Sequence, residues 1–98
     1  MRDLESNNIG YYVINGSHIL YFCSEWSSEC KKLNTILNEL NGVIDVIKIN
    51  VEIYNDVYTR FRVQSVPTLI FYKNGIKYSE LTGNITKEDI LEKINNLK

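Results

Sequence analysis

A chain of 98 residues with 44% hydrophobic and 11% aromatic side chains can bury one core, so residues 1–98 are expected to form a single domain and a disordered chain is excluded. The net charge of −1 and pI near 5.8 give no electrostatic footprint for nucleic acid or an acidic membrane. No apolar run approaches the roughly 20 residues of a membrane span, and Met1-Arg2-Asp3-Leu4-Glu5 lacks a signal peptide's layout, so a cytoplasmic or nuclear location is the expectation.

In chain order, residues 7–14 support two readings. Ser6 can cap a short helix with Ile9, Tyr12 and Val13 on one face and Asn15-Gly16 at its end, or residues 11–14 can form a strand. A further strand before Ser6 is left open. Residues 19–23 form a nearly continuous apolar run, the pattern of a strand buried on both faces. Ser27 then suits a helix N-cap, with Glu29 in the first turn, where the helix dipole favours negative charge. Cys30, Leu33, Ile36, Leu37 and Leu40 follow as an apolar stripe, and Asn41-Gly42 closes the helix.

Residues 43–49 predict a second central strand, and residues 55–61 a short helix facing Val57, Phe61 and then Val63 inward. Asn74-Gly75 between residues 68–72 and 76–81 is a hairpin signal. Thr86 and Asp89 approximate a capping box for a last helix whose inner face carries Ile90, Leu91, Ile94 and Leu97. The order β-α-β-α-β-β-α makes an α/β fold, a mixed central sheet flanked by helices.

The two cysteines, Cys23 and Cys30, fall in the buried strand and in the first turn of the helix after it. Cys23 reads as a small buried hydrophobe, and no structural disulfide is expected in a reducing compartment. Two thiols and a distant His18 do not make a four-ligand zinc site, so no metal or other cofactor is expected.

Trp26-Ser27-Ser28-Glu29-Cys30-Lys31, Val66-Pro67-Thr68, Lys73-Asn74-Gly75 and Gly83 stand at intervals that resemble the thioredoxin family over essentially the whole chain. The resemblance implies a thioredoxin fold and a role in thiol–disulfide chemistry and cell redox homeostasis. It places Pro67 at the family's cis proline. There the Val66 backbone would offer strand-like hydrogen bonds to an extended segment of a protein or peptide partner docked beside Trp26, Ser28 and Glu29. The family's loop is W-C-G-P-C-K. Ser27 therefore stands where the attacking cysteine would be, and Cys30 matches the second, resolving cysteine.

Other positions depart as well. Glu29 replaces the proline before Cys30, and its charge is expected to disfavour a thiolate next to it. Tyr21 replaces a buried acid, Lys48 matches the lysine near that acid, and Thr35 replaces a helix-bending proline, so a straighter helix is expected. A serine needs a neighbouring base to attack, and His18 belongs at the far end of the sheet. A dithiol reductase of ordinary speed is therefore not expected.

The monothiol loop also resembles the thioredoxin-like domain of multidomain PICOT-type monothiol glutaredoxins, as does the stretch from Phe61 to Phe71. That likeness implies an accessory or binding domain linked to iron–sulphur and iron handling, partnered by a glutaredoxin domain. Two alternatives stand beside it: a dithiol thioredoxin with its nucleophile replaced by Ser27, and a redox-inert scaffold for protein contacts.

Overall fold

The structure, a computed structural model, describes residues 1–97. A five-stranded sheet runs in the order β1-β3-β2-β4-β5, from β1 (Arg2–Asp3), β2 (Ser17–Cys23), β3 (Asp45–Asn50), β4 (Thr68–Lys73) and β5 (Ile76–Thr82). β1 and β2 both pair with β3 in parallel, whereas β4 is antiparallel to β2 and β5 to β4. The helices are α1 (Gly10–Val13), α2 (Ser28–Glu39), α3 (Asn55–Arg60) and α4 (Lys87–Asn96).

β2 holds the centre because its side chains are apolar on both faces. Ile19, Tyr21 and Cys23 join Cys30, Leu33 and Leu37 of α2 and Ile90 and Ile94 of α4 in one core. Leu20 and Phe22 join Ile47, Ile49, Val57 of α3 and Val13 of α1 in the other. Each large side chain sealed this way stabilises the fold by about 1.5–3 kcal/mol. A core on each face thus fixes where β2 ends and the loop to α2 begins.

α2 forms because a capping serine precedes an apolar stripe. The Ser27 side chain accepts from the Cys30 N–H, and Cys30, Leu33 and Leu37 turn inward. The helix stops at Leu40, and Gly42 takes a φ of +91°, which L side chains rarely adopt. α4 carries a complete Thr86–Asp89 capping box. The tip of the β4–β5 hairpin puts Asn74 and Gly75 at positive φ, the geometry an Asn-Gly turn supplies.

The structure differs from the sequence reading at several places. Residues 10–13 are helical, and β1 provides the further strand before Ser6. Ser6 does not cap α1, whose N-cap is Ile9 with no side-chain bond; the Ser6 hydroxyl instead accepts from Asn8 N–H. β3 starts at Asp45, because residues 41–44 are a turn that leaves Val43 exposed. Leu91 is exposed, since the inner face of α4 is defined by Ile90, Ile94 and Leu97. Phe61 is only half-buried, whereas Val57 and Val63 are buried.

Candidate functional site

The loop from β2 to α2 sits at the C-terminal end of the parallel strands, and its side chains divide sharply by exposure. Trp26 is 75% exposed while Cys30, four residues on, is 1% exposed. Ser28 and Glu29 are exposed, and the Ser28 hydroxyl donates to the Glu29 carboxylate at 3.0 Å. Ser27, half-buried, lies between them and the core.

Ser27 does two things. Its Oγ accepts from the Cys30 N–H at 3.3 Å, capping α2, and its hydroxyl favours the charged form of the Cys30 sulfur. The groups around the Cys30 thiol that bear on its proton are the Cys23 thiol, the Ser27 hydroxyl, the Ser24 backbone and the Tyr21 hydroxyl. Cys23 bonding, opposed by burial and helped by Ser27, holds Cys30 down to about 5. Cys23 moves the other way. Its bond to Cys30 and its burial push it up, against the pull of the Lys48 ammonium. Of the pair, Cys30 is the thiol that gives up its proton.

Two expectations change here. The sequence puts the Glu29 charge beside a Cys30 thiolate, yet Glu29 is not among the groups acting on that sulfur, because its carboxylate is in solvent and bonded to Ser28. Cys23 is buried as expected, but it is also the first partner of Cys30.

Tyr21 is fully buried, and its Oη lies 2.9 Å from both the Cys30 carbonyl and Asn34 Oδ1. Burial first, then the two cysteines, push its phenol up, so it remains a neutral donor. Tyr21 therefore ties β2 to the first and second turns of α2. Lys48 pairs with Tyr21 across β2 and β3 and is half-buried. His18 bonds Asp45 at 2.8 Å near the start of β2, at the end of the strand away from Cys23 and the loop.

The Val66–Pro67 peptide bond is cis. The segment is pinned on both sides. Thr68 Oγ1 donates to the Ser65 carbonyl at 2.8 Å, and the Gly83 N–H donates to the Pro67 carbonyl at 3.2 Å. Among the described residues, no backbone hydrogen bond engages the Val66 N–H or C=O. Pro67 also walls a groove of about 260 Å³ with Glu29, Leu33 and Ile36 of α2 and with Gly83, Ile85 and Lys87.

Sequence reasoning missed Ser24, Asn34 and the pairing role of Cys23. The strand pattern does carry a signal for Cys23, since alternation places Tyr21 and Cys23 on the face that α2 covers. No cluster of three or more His, Cys, Asp or Glu fit for a metal occurs among the described residues, and no helix there is long and apolar enough to cross a membrane.

The family model described as Thioredoxin matches residues 4–96. A thioredoxin of Chlamydia caviae is 25% identical, over 97% of this chain and 96% of that protein. One of Rickettsia felis is 31% identical, over 76% of this chain and 74% of its own length. In structure, a mutant thioredoxin from Halobacterium salinarum NRC-1 superposes with a TM-score of 0.88 at 19% identity, covering 99% of this chain and 88% of that one. That likeness concerns the fold.

Proposed function

The chain belongs to the thioredoxin family, and from that premise we propose that it is a monothiol-loop member which docks an extended protein segment and does not turn over protein disulfides at the rate of a dithiol reductase. The observation carrying this reading is the exchange of roles in the loop. Ser27 occupies the half-buried position above the α2 N-terminus, and the only loop thiol, Cys30, lies beneath it at 1% exposure. A disulfide in a folded partner needs an accessible thiolate to attack it. Here the group that meets the partner is a hydroxyl without a neighbouring base.

The docking half of the proposal rests on Trp26, the unengaged Val66 backbone and the Pro67 groove. An exposed indole supplies a large amphipathic contact at low entropic cost, and free N–H and C=O groups pair with an extended strand. The loop residues Ser28 and Glu29 would border the bound segment. Tyr21 and Lys48 act from below, the first by holding α2 and the second by its charge on Cys23. A cytoplasmic setting suits a chain whose thiols are both free.

The relatives named above are thioredoxins, which favours the thioredoxin branch of the reading over the iron-linked glutaredoxin companion. The test is reduction of a protein disulfide coupled to a thioredoxin reductase. Wild type is expected to show only background turnover, and turnover comparable to a dithiol thioredoxin would overturn the proposal. Ser27→Cys then separates a lone lost nucleophile, which restores full rate, from a loop altered throughout, which stays slow.

A further inference from the structure

The proposed docking role leaves unexplained why both thiols of the chain meet in the same core. Cys23 is the last residue of β2 and Cys30 lies in the first turn of α2. Both side chains belong to one cluster, at 2% and 1% exposure, and each is the neighbour that bears most on the other's proton. Both are free in this structure. Each thiol is closed to a bulky reagent. Ser24, next in sequence to Cys23, is 3% exposed, and its hydroxyl has no hydrogen-bond partner among the described residues. A buried hydroxyl without a partner is unusual, and it offers a bond to a small oxygen-bearing species beside the pair.

We propose that Cys23 and Cys30 form an oxidation site, closing an intramolecular disulfide when the chain meets a small hydroperoxide. The Cys30 thiolate attacks the peroxide oxygen of hydrogen peroxide, the O–O bond breaks, and Cys30 becomes a sulfenic acid with release of hydroxide. The Cys23 sulfur then attacks the Cys30 sulfur. The S–O bond breaks, a second hydroxide leaves, and it takes the Cys23 proton to become water. The first hydroxide takes up the proton that Cys30 gave to solvent. Two thiols are oxidised by two electrons in all, and one peroxide is reduced to two waters. Burial selects the oxidant: at 1% and 2% exposure beneath a half-buried Ser27, the two thiols are closed to a protein disulfide, which leaves a small reagent as the oxidant. Adjacency selects the product, because the neighbouring thiol is at hand when the sulfenic acid forms.

The experiment uses the full chain. It is treated when folded with stoichiometric hydrogen peroxide, quenched, denatured, labelled with a maleimide and mapped by mass spectrometry. The expected result is loss of both reactive thiols, a mass lower by two hydrogens, a Cys23–Cys30 linked peptide, and full reversal by dithiothreitol. An oxygenated Cys30 beside a free Cys23, a disulfide between two chains, or two unreacted thiols at peroxide levels that oxidise free glutathione would each overturn it. In Cys23→Ser, Cys30 is expected to stop at a sulfenic acid, trapped by dimedone present as the chain is denatured. If that variant does not fold, Cys23→Ala serves the same end, and the wild-type map decides the matter by itself. Failure of peptide docking at Trp26 leaves this result untouched.

Discussion

Replacing Ser27 by alanine removes the oxygen that accepts the Cys30 N–H and leaves one orphan donor at the start of a 12-residue helix. Loss of a serine N-cap costs about 0.5–2 kcal/mol, and the 3.3 Å length of this bond places it in the lower half of that range. In a domain of 98 residues, about 1 kcal/mol moves the melting temperature by roughly 4–8 °C. Ser27→Ala should therefore melt about 2–10 °C below wild type when followed by far-UV circular dichroism. Ser27→Asn, whose side chain can accept the same bond, should stay near wild type. If Asn and Ala fall equally, or neither falls, the serine is not acting as a cap, and the account of how Cys30 is held beneath it is wrong.

Tyr21→Phe deletes a buried hydroxyl and its bonds to the Cys30 carbonyl and Asn34 Oδ1. A loss of about 1–3 kcal/mol in urea unfolding is expected, and no change would mean that water replaces the phenol. Trp26→Ala should leave stability within about 0.5 kcal/mol, because the ring is 75% exposed, while weakening binding of an extended peptide measured by calorimetry. The two thiols give stability a pH signature of opposite signs. The folded pKa of Cys30 is depressed to about 5, so its contribution is full above the unfolded value near ~8.5 and is lost as pH falls toward 5. Cys23 is raised, so its contribution is present below ~8.5 and is lost as pH rises beyond it. Urea midpoints should rise with pH from about 5 to about 8.5 on Cys30's account and turn down above that, and Cys30→Ala should flatten the rising limb.

Most of the frame was legible because it is written locally. The run Ile19-Leu20-Tyr21-Phe22-Cys23 states its own burial, Asn74-Gly75 states a hairpin, and Ser27 and Thr86 state where helices begin. The readings that failed depend on tertiary contacts. Val43 has a strand former's side chain but lies in a turn before β3 finds its register. Leu91 looks inward by composition, yet the neighbouring Ile90 takes the inner position. Within the site, Trp26, Cys30 and Pro67 stood out by spacing, whereas the meeting of Cys23 with Cys30 required a strand and a helix to be packed face to face. The Glu29 effect was misjudged for a similar reason: adjacency in sequence does not put a carboxylate beside a sulfur when one side chain faces water and the other faces the core.

The Ser27–Cys30 bond makes the first turn of α2 a latch whose opening is a local event, separate from global unfolding. Both thiols wait behind it, so any reagent much larger than water reaches them only in the fraction of molecules whose latch is open. Modification by such reagents should therefore share its rate-limiting step with hydrogen exchange at the Cys30 amide, the N–H that the serine holds. The chain's response to such reagents is then set by the fraying of one helical turn rather than by the nucleophilicity of its sulfur, and a stronger cap would make the protein chemically quieter toward them without altering a single thiol.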